Sequence, residues 1–386
     1  MGRLRFGRFA SISAALLALL MFSPAFTRAF WMARLVVAEF PFLIAIPALG
    51  GLLALRTIPS QRWYQALAVV SLLASLAPLV VFVPAYAAHH RTFSLMEYLT
   101  WGPRHPPITQ QTDLSLEPSL PTLKLDFYRG LGEGPRPLLV LVHGGSFSGG
   151  DKGENRTASE IFAAAGYSVA DVQYRLAPKF VFPTAVQDVK CLVGRLREKA
   201  STFGIDPERV AYLGRSAGAA IAAVAAYSAG DPRLPSLCDA PDLPVSAMVS
   251  LYGPLDLDWG WRIRVYPDPI TGYKALERYI GGTPATKPDD YRMASAVSWV
   301  GPATPPSLLI NGTRDTLVSP YHSQLLAEAC ARKGLQAPRR LLIPFAEHGF
   351  DYHPGGLGEQ LARAEILEFL ADALKPPPTP QLTHQP

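Results

Sequence analysis

Two textures divide the chain. In its first hundred residues the apolar positions run together almost unbroken: residues 9–26 and 63–88 carry no formal charge, and residues 35–55 carry only Glu39. At 1.5 Å per residue, runs of this length approach or exceed a hydrocarbon core of about 30 Å. The pattern therefore predicts three membrane-crossing helices within residues 1–103. Pro41, Pro47 and Gly50-Gly51 interrupt the middle one, but such residues are tolerated in membranes. A cleaved leader is the rival reading of the first run. Its arginine-rich start fits, yet no A-x-A-like cleavage site is evident and two more apolar runs follow. Glu39 is expected at the interface, beside Arg34.

Residues 104–122 are rich in Pro, Thr and Gln without periodicity and read as a linker. Beyond them, short apolar or alternating runs predict strands at 123–128, 137–142, 168–174, 210–213, 245–252, 307–311 and 340–344. Helical spacing falls between them at 158–165, 184–199, 219–227, 321–333 and 358–374. Strands alternating with helices imply an α/β domain over 123–375, its largely parallel sheet covered on both faces. Residues 256–300 form an insertion with Trp259, Trp261, Tyr266, Tyr273 and Tyr279. These aromatics either cap a site or build a small core of their own. The Pro-rich tail, 376–386, is expected to be disordered.

Composition sharpens this division. Apolar residues make up 49% of the 386 and charged residues only 17%. The net charge of +5 is uneven: residues 1–103 hold eight arginines against Glu39 and Glu97, a balance of +6, which leaves −1 for the rest. The basicity flanks the apolar runs, so no nucleic-acid face is indicated. Five arginines (3, 5, 8, 56, 62) against four (28, 34, 91, 104) favour a cytoplasmic N-terminus, which with three spans puts everything after residue 88 outside the cytoplasm. Cys191, Cys238 and Cys330 show no metal-type spacing; they permit at most one internal disulfide with one thiol left over, and are otherwise expected to be ordinary buried or free thiols.

Candidate chemistry collects at the ends of the predicted strands, where ligands of such sheets bind. Gly214-Arg215-Ser216-Ala217-Gly218 joins an apolar strand to an Ala-rich helix, the setting of a G-x-S-x-G nucleophile elbow. Gly214 and Gly218 relieve crowding in so sharp a turn. His143-Gly144-Gly145-Ser146 opens a glycine-dense turn after the strand 137–142, and its backbone N–H groups suit an oxyanion. Asp315 follows the strand 307–311 and His348 the strand 340–344, in the chain order Ser, Asp, His. A serine hydroxyl needs an imidazole to take its proton, and the imidazole needs a carboxylate to hold its tautomer. His348 alone of the eight histidines lies at a strand end after a candidate acid; His143 more naturally braces its turn. Asp256 and Asp258 compete with Asp315 for the acid's place.

The segments HGGSFSGG, YRLAP (174–178), FPTAVQDV (182–189), GIDPERVAYLGRSAGA (204–219), NGTRDTLVSP (311–320) and IPFAEHGF (343–350) resemble those of the α/β-hydrolase carboxylesterases. The nearest likeness is to the hormone-sensitive-lipase-like esterases and the related kynurenine-formamidase-like and prenylcysteine-methylesterase-like enzymes. It spans roughly 123–374. The resemblance implies an α/β-hydrolase fold and a Ser216–Asp315–His348 triad. It also implies oxyanion donors from the backbone of Gly145, Ser146 and Ala217, with Ser146 departing from the HGGG form. The family's aspartate in the FPTAVQDV segment falls at Asp188, which reads as structural. The expected protein is a membrane-anchored serine hydrolase of carboxylic esters, possessing no metal or organic cofactor. Its expected partners are a small-molecule ester, with the anchor pointing to bulky apolar esters delivered from the bilayer, and the lipid bilayer itself. An amide or formamide hydrolase or an acyltransferase would use the same residues, and a non-catalytic receptor on this scaffold is the alternative from another class.

Overall fold

The computed structural model describes residues 2–375, and the tail expected at 376–386 lies outside the described residues. Eight strands form one sheet: β1 (Gln110–Ser115), β2 (Lys124–Tyr128), β3 (Arg136–Val142), β4 (Ser168–Val172), β5 (Ile205–Arg215), β6 (Ala247–Leu251), β7 (Ser307–Gly312) and β8 (Arg339–Ile343). Their order is β1-β2-β4-β3-β5-β6-β7-β8, antiparallel at β1/β2 and β2/β4 and parallel from there on. The inner strands are mostly apolar because both of their faces are covered along most of their length.

Fifteen α-helices are described. Six precede the sheet: α1 (Gly2–Phe22), α2 (Arg28–Glu39), α3 (Phe42–Leu55), α4 (Arg62–Ser75), α5 (Ala77–Ala88) and α6 (Leu95–Leu99). The sheet is wrapped by α7 (Arg156–Ala164), α8 (Thr184–Glu198), α9 (Ala200–Phe203) and α10 (Ala217–Tyr227). The insertion supplies α11 (Leu257–Arg262), α12 (Gly272–Ile280) and α13 (Pro288–Met293), and α14 (Tyr321–Arg332) and α15 (Leu357–Ala373) complete the set. One core lies beneath α8, α10 and α14. The other lies beneath α7 and α15, on the opposite face.

Four features of the structure correct the sequence-based expectations or decide what they left open. First, the region read as a linker contains β1, a polar edge strand that pairs with β2 through Gln110 to Ser115. Second, the middle apolar run is not one helix: α2 and α3 meet at 71°. Phe40 precedes a proline, which disfavours the helical region there, and it adopts φ −121°, ψ 67°. Thus α1 and the 30-residue stretch Pro59–Ala88 are long and apolar enough to cross a membrane, and a third crossing requires the bent pair to count as one span. Third, Cys191 and Cys238 are bonded to each other, tying α8 to the loop before β6, while Cys330 is free and buried. Fourth, Arg34 pairs with Glu347, and Glu39 lies instead beside His353.

The N-terminal helices form a packed unit docked on the α/β domain. Helix α1 crosses α3 through small residues: a Cβ on Gly51 would come within 2.4 Å of Ser11 Oγ, so the glycine permits the close approach. Phe82 and Tyr86 of α5 are buried in the domain's second core, and the Tyr86 hydroxyl donates to Leu357 O at 2.8 Å. Burying side chains of this size stabilises by about 1.5–3 kcal/mol each, enough to hold the helices against the domain rather than merely tether them.

Candidate active site

The turn from β5 into α10 holds Ser216 in a backbone conformation that side chains rarely adopt, φ 52° and ψ −122°. Its N–H donates to Leu251 O at 2.9 Å on the neighbouring strand. The flanking glycines are obligatory here. A Cβ at Gly214 would sit 2.4 Å from Ala219 Cα, and one at Gly218 would sit 2.2 Å from His143 O. The result lifts Ser216 Oγ clear of the sheet's carboxyl edge.

Two loops from neighbouring strands reach it. His348, after β8, places Nε2 2.9 Å from Ser216 Oγ. Its Nδ1 lies 2.8 Å from Oδ2 of Asp315, after β7. The other carboxylate oxygen of Asp315 accepts from the N–H groups of Leu317 (2.8 Å) and Val318 (2.9 Å). With the carboxylate accepting from Nδ1–H, Nε2 is left as an acceptor for the serine hydroxyl. His348 is 3% exposed, packed against Tyr252 with ring centroids 4.3 Å apart. The competing acids are occupied elsewhere: Asp256 caps α11 by accepting from Trp259 N, and Asp258 pairs with Arg262.

The glycine turn lies against Ser216 on its other side. Gly145 has φ 111°, and a Cβ there would strike Gly149 O at 2.1 Å. Ser146 follows at φ 53°. Among the described residues, the N–H groups of Gly145, Ser146 and Ala217 donate to no protein acceptor. Gly144 is close enough that an added Cβ would be 3.3 Å from Ser216 Cβ. His143 is a brace: its ring stacks on Tyr174 at 4.2 Å, and Nδ1 lies 2.8 Å from Gly144 O. Burial holds its pKa below the ordinary imidazole value, so the ring is neutral at pH 7. The Tyr174 hydroxyl donates to His143 O at 3.0 Å, which gives the YRLAP segment its purpose. Asp188 is fully buried and accepts a bidentate bond from Arg175 (2.7 Å to the nearer oxygen), a structural role.

Several contributors escaped the sequence reading. Arg215, the variable residue of the elbow, is buried and donates through Nε to Asp351 Oδ2 at 2.5 Å. The Tyr252 hydroxyl donates to the other oxygen of Asp351. Burial and the Asp351 charge push the Tyr252 pKa well up, so it remains a donor. This network fixes the ring against which His348 leans. Its sequence signal was faint: charged residues beside motif positions in an otherwise apolar domain. Trp31, from α2, also approaches His348, at 6.4 Å between ring centroids.

Two cavities meet at Ser216. The smaller, about 70 Å³, touches Ser216 and Ala217 and is walled by Trp259, Ile263, Leu276 and Leu317. The larger, about 580 Å³, touches Ser216 and His348 and is lined by Arg28, Trp31, Glu154 and Arg278. The insertion's aromatics divide between the two alternatives. Trp259 and Tyr273 face the small cavity, Tyr279 stacks on Phe147 at 4.0 Å within the core, and Tyr266 is 89% exposed. His322 lines the small cavity, and burial lowers its pKa to about 3.

A family model described as BD-FAE matches residues 125–330. The chain belongs to the BD-FAE family. Among curated relatives, Esterase LipC of Mycobacterium tuberculosis is 30% identical over 236 residues, covering 60% of this chain and 58% of LipC. Esterase LipQ of the same organism is 28% identical over 274 residues, 70% of this chain and 64% of LipQ. The chain therefore spans about six-tenths of the length of these relatives. Esterase LipW from Mycobacterium marinum is a solved structure with 25% identity and a TM-score of 0.54, covering 70% of this chain and 82% of its own. Esterase B from Lactobacillus rhamnosis, at 20% identity and a TM-score of 0.59 over 76% of this chain and 95% of its own, shares the fold. With the mostly parallel eight-stranded sheet, these likenesses give this BD-FAE member an α/β-hydrolase fold, and the relatives it resembles are esterases.

Proposed function

We propose that the protein is a membrane-anchored carboxylic ester hydrolase in which Ser216, His348 and Asp315 act as a catalytic triad. The observation that carries this reading is the line of contacts from Ser216 Oγ to His348 Nε2 (2.9 Å) and from Nδ1 to Asp315 Oδ2 (2.8 Å) at the carboxyl edge of the sheet. In acylation, Nε2 takes the hydroxyl proton as Oγ attacks the ester carbonyl. The charge on the former carbonyl oxygen is received by the N–H groups of Gly145, Ser146 and Ala217, each such donor typically contributing about 2.7–4 kcal/mol. Collapse of the intermediate breaks the carbon–oxygen bond, and Nε2–H protonates the departing alcohol. Water then attacks the acyl-enzyme with His348 again as base, releasing the acid and restoring the serine. Asp315 holds Nδ1 protonated and offsets the imidazolium charge.

Because His348 must protonate the leaving oxygen, the alcohol belongs in the larger cavity, which His348 lines, and the acyl group belongs in the small apolar one. At about 30 Å³ for each water-sized group, the cavity of about 70 Å³ accommodates roughly two, which suits short acyl chains. The domain reading is an anchor over 1–103, a catalytic domain over 123–375 and a cap-like insertion over 256–300. With the bent pair α2–α3 counted as a third crossing, the arginine distribution favours a catalytic domain outside the cytoplasm, and the Cys191–Cys238 bond fits that oxidising side. Full-length protein in detergent micelles, assayed on p-nitrophenyl esters from acetate to dodecanoate, tests the reading. Acetate to butyrate should be turned over best and Ser216→Ala should abolish turnover. Equal rates in the Ser216→Ala variant would refute it, and faster turnover of aryl formamides would redirect it to formamide hydrolysis.

A further inference from the structure

Helix α2 holds both loops that carry the acid and the base. Arg34 is 4% exposed. One of its terminal nitrogens donates to Ser23 O at 2.8 Å, anchoring it to the elbow after α1. The other donates to Glu347 Oε2 at 2.5 Å and to Arg314 O at 3.3 Å. Glu347 immediately precedes His348, and Arg314 immediately precedes Asp315. Arg314 in turn donates to Met21 O at 2.7 Å, and its Nε lies 3.7 Å from Glu347 Oε1. The same helix sets Trp31 against His348 and packs Leu35 with Leu317, whose N–H donates to Asp315.

A buried ion pair is weak evidence for stability, since desolvation offsets much of the attraction and an apolar pair of equal volume often does as well. What a guanidinium offers beyond that is direction: a planar fork of donors that can hold two backbone segments in a fixed relation. Here one nitrogen of the fork holds both loops whose relative position sets the two hydrogen bonds of His348, and the other ties them to the end of α1. We propose that Arg34 is a positioning residue for ester hydrolysis, so that the N-terminal helices are part of the catalytic apparatus and not only its anchor. The inference rests on the triad reading above.

Arg34 does not line either cavity beside Ser216, so its loss should act on turnover and leave substrate binding alone. Misplacing reacting groups by about 1 Å can cost about 100-fold. The test uses full-length protein in micelles with p-nitrophenyl butyrate, counting active sites by fluorophosphonate titration of Ser216. Arg34→Met and Glu347→Gln should each lower kcat per titrated site at least about tenfold with KM within about twofold. The double variant should be no slower than the slower single variant, because the pair acts as one unit. Arg34→Lys, which keeps the charge but not the fork, should recover part of the loss. Wild-type kcat per titrated site in Arg34→Met, with only the melting temperature lowered, would overturn the proposal. If Arg34→Met does not fold, wild-type kcat in both Glu347→Gln and Arg34→Lys would overturn it equally. A wild-type protein that the probe does not label would instead overturn the triad reading beneath it.

Discussion

Replacing Asp315 by Asn exchanges one oxygen for an amide nitrogen and leaves the side chain's shape intact. The neighbours dictate which way the amide must face. Leu317 N–H and Val318 N–H both point at Oδ1, 2.8 and 2.9 Å away, so the amide oxygen has to remain there. The NH2 group then faces His348 Nδ1, 2.8 Å away in the wild type. A donor at that position forces Nδ1 to become an acceptor and moves the ring proton to Nε2. The imidazole then points N–H at Ser216 Oγ and cannot take its proton. Loss of the correct tautomer in a serine protease of unrelated fold lowers kcat about 10⁴-fold, which at 1.36 kcal/mol per tenfold is about 5.4 kcal/mol of barrier. We expect a loss of that order in Asp315→Asn, measured as kcat with p-nitrophenyl butyrate at pH 7.5, with the melting temperature little changed. A folded variant that loses less than about tenfold would refute the tautomer argument and Asp315 with it.

Other expectations follow from the same geometry. Trp259→Ala should enlarge the small cavity beside Ser216 and shift the best substrate towards longer acyl chains in a p-nitrophenyl ester series; an unchanged profile would place the acyl group elsewhere. Cys191 and Cys238 are 47 residues apart, a loop whose closure stabilises by about 4 kcal/mol in the chain-entropy treatment. Cys191→Ser should therefore lower the melting temperature by roughly 10 °C, and calorimetry showing no change would remove the bond's structural role. Asp171 is buried, which pushes its carboxyl up to about 7. The folded state then keeps a proton that the unfolded chain releases above about pH 4, so stability should fall as pH rises through this window. In Asp171→Asn that slope should flatten in denaturant titrations, and an unaltered slope would show that other groups carry it.

How far the residues alone revealed this arrangement depended on whether the information was local. The inner strands were legible because most of their length is buried on both faces and is correspondingly apolar, with Asp171 of β4 an exception. Strand β1 was not, because Gln110, Gln111 and Thr112 lie on an exposed sheet edge and look like linker. Ser216, Asp315 and His348 were legible because each turn needs particular residues at a strand end, and the structure brings all three within hydrogen-bonding distance. The break between α2 and α3 was hidden, since the apolar composition continues smoothly across Phe40-Pro41 and only the backbone restriction before proline marks it. The Arg34–Glu347 pair and the Cys191–Cys238 bond were not legible. They join positions 313 and 47 residues apart, and no local pattern specifies a partner at that distance.

The most direct measurement is mass spectrometry of the full-length protein after reaction with a fluorophosphonate. The account predicts one adduct per chain, on the peptide carrying Ser216, formed in parallel with loss of ester turnover and absent from Ser216→Ala. Undiminished ester turnover in protein with no adduct on that serine, or an adduct only on another residue, would contradict it.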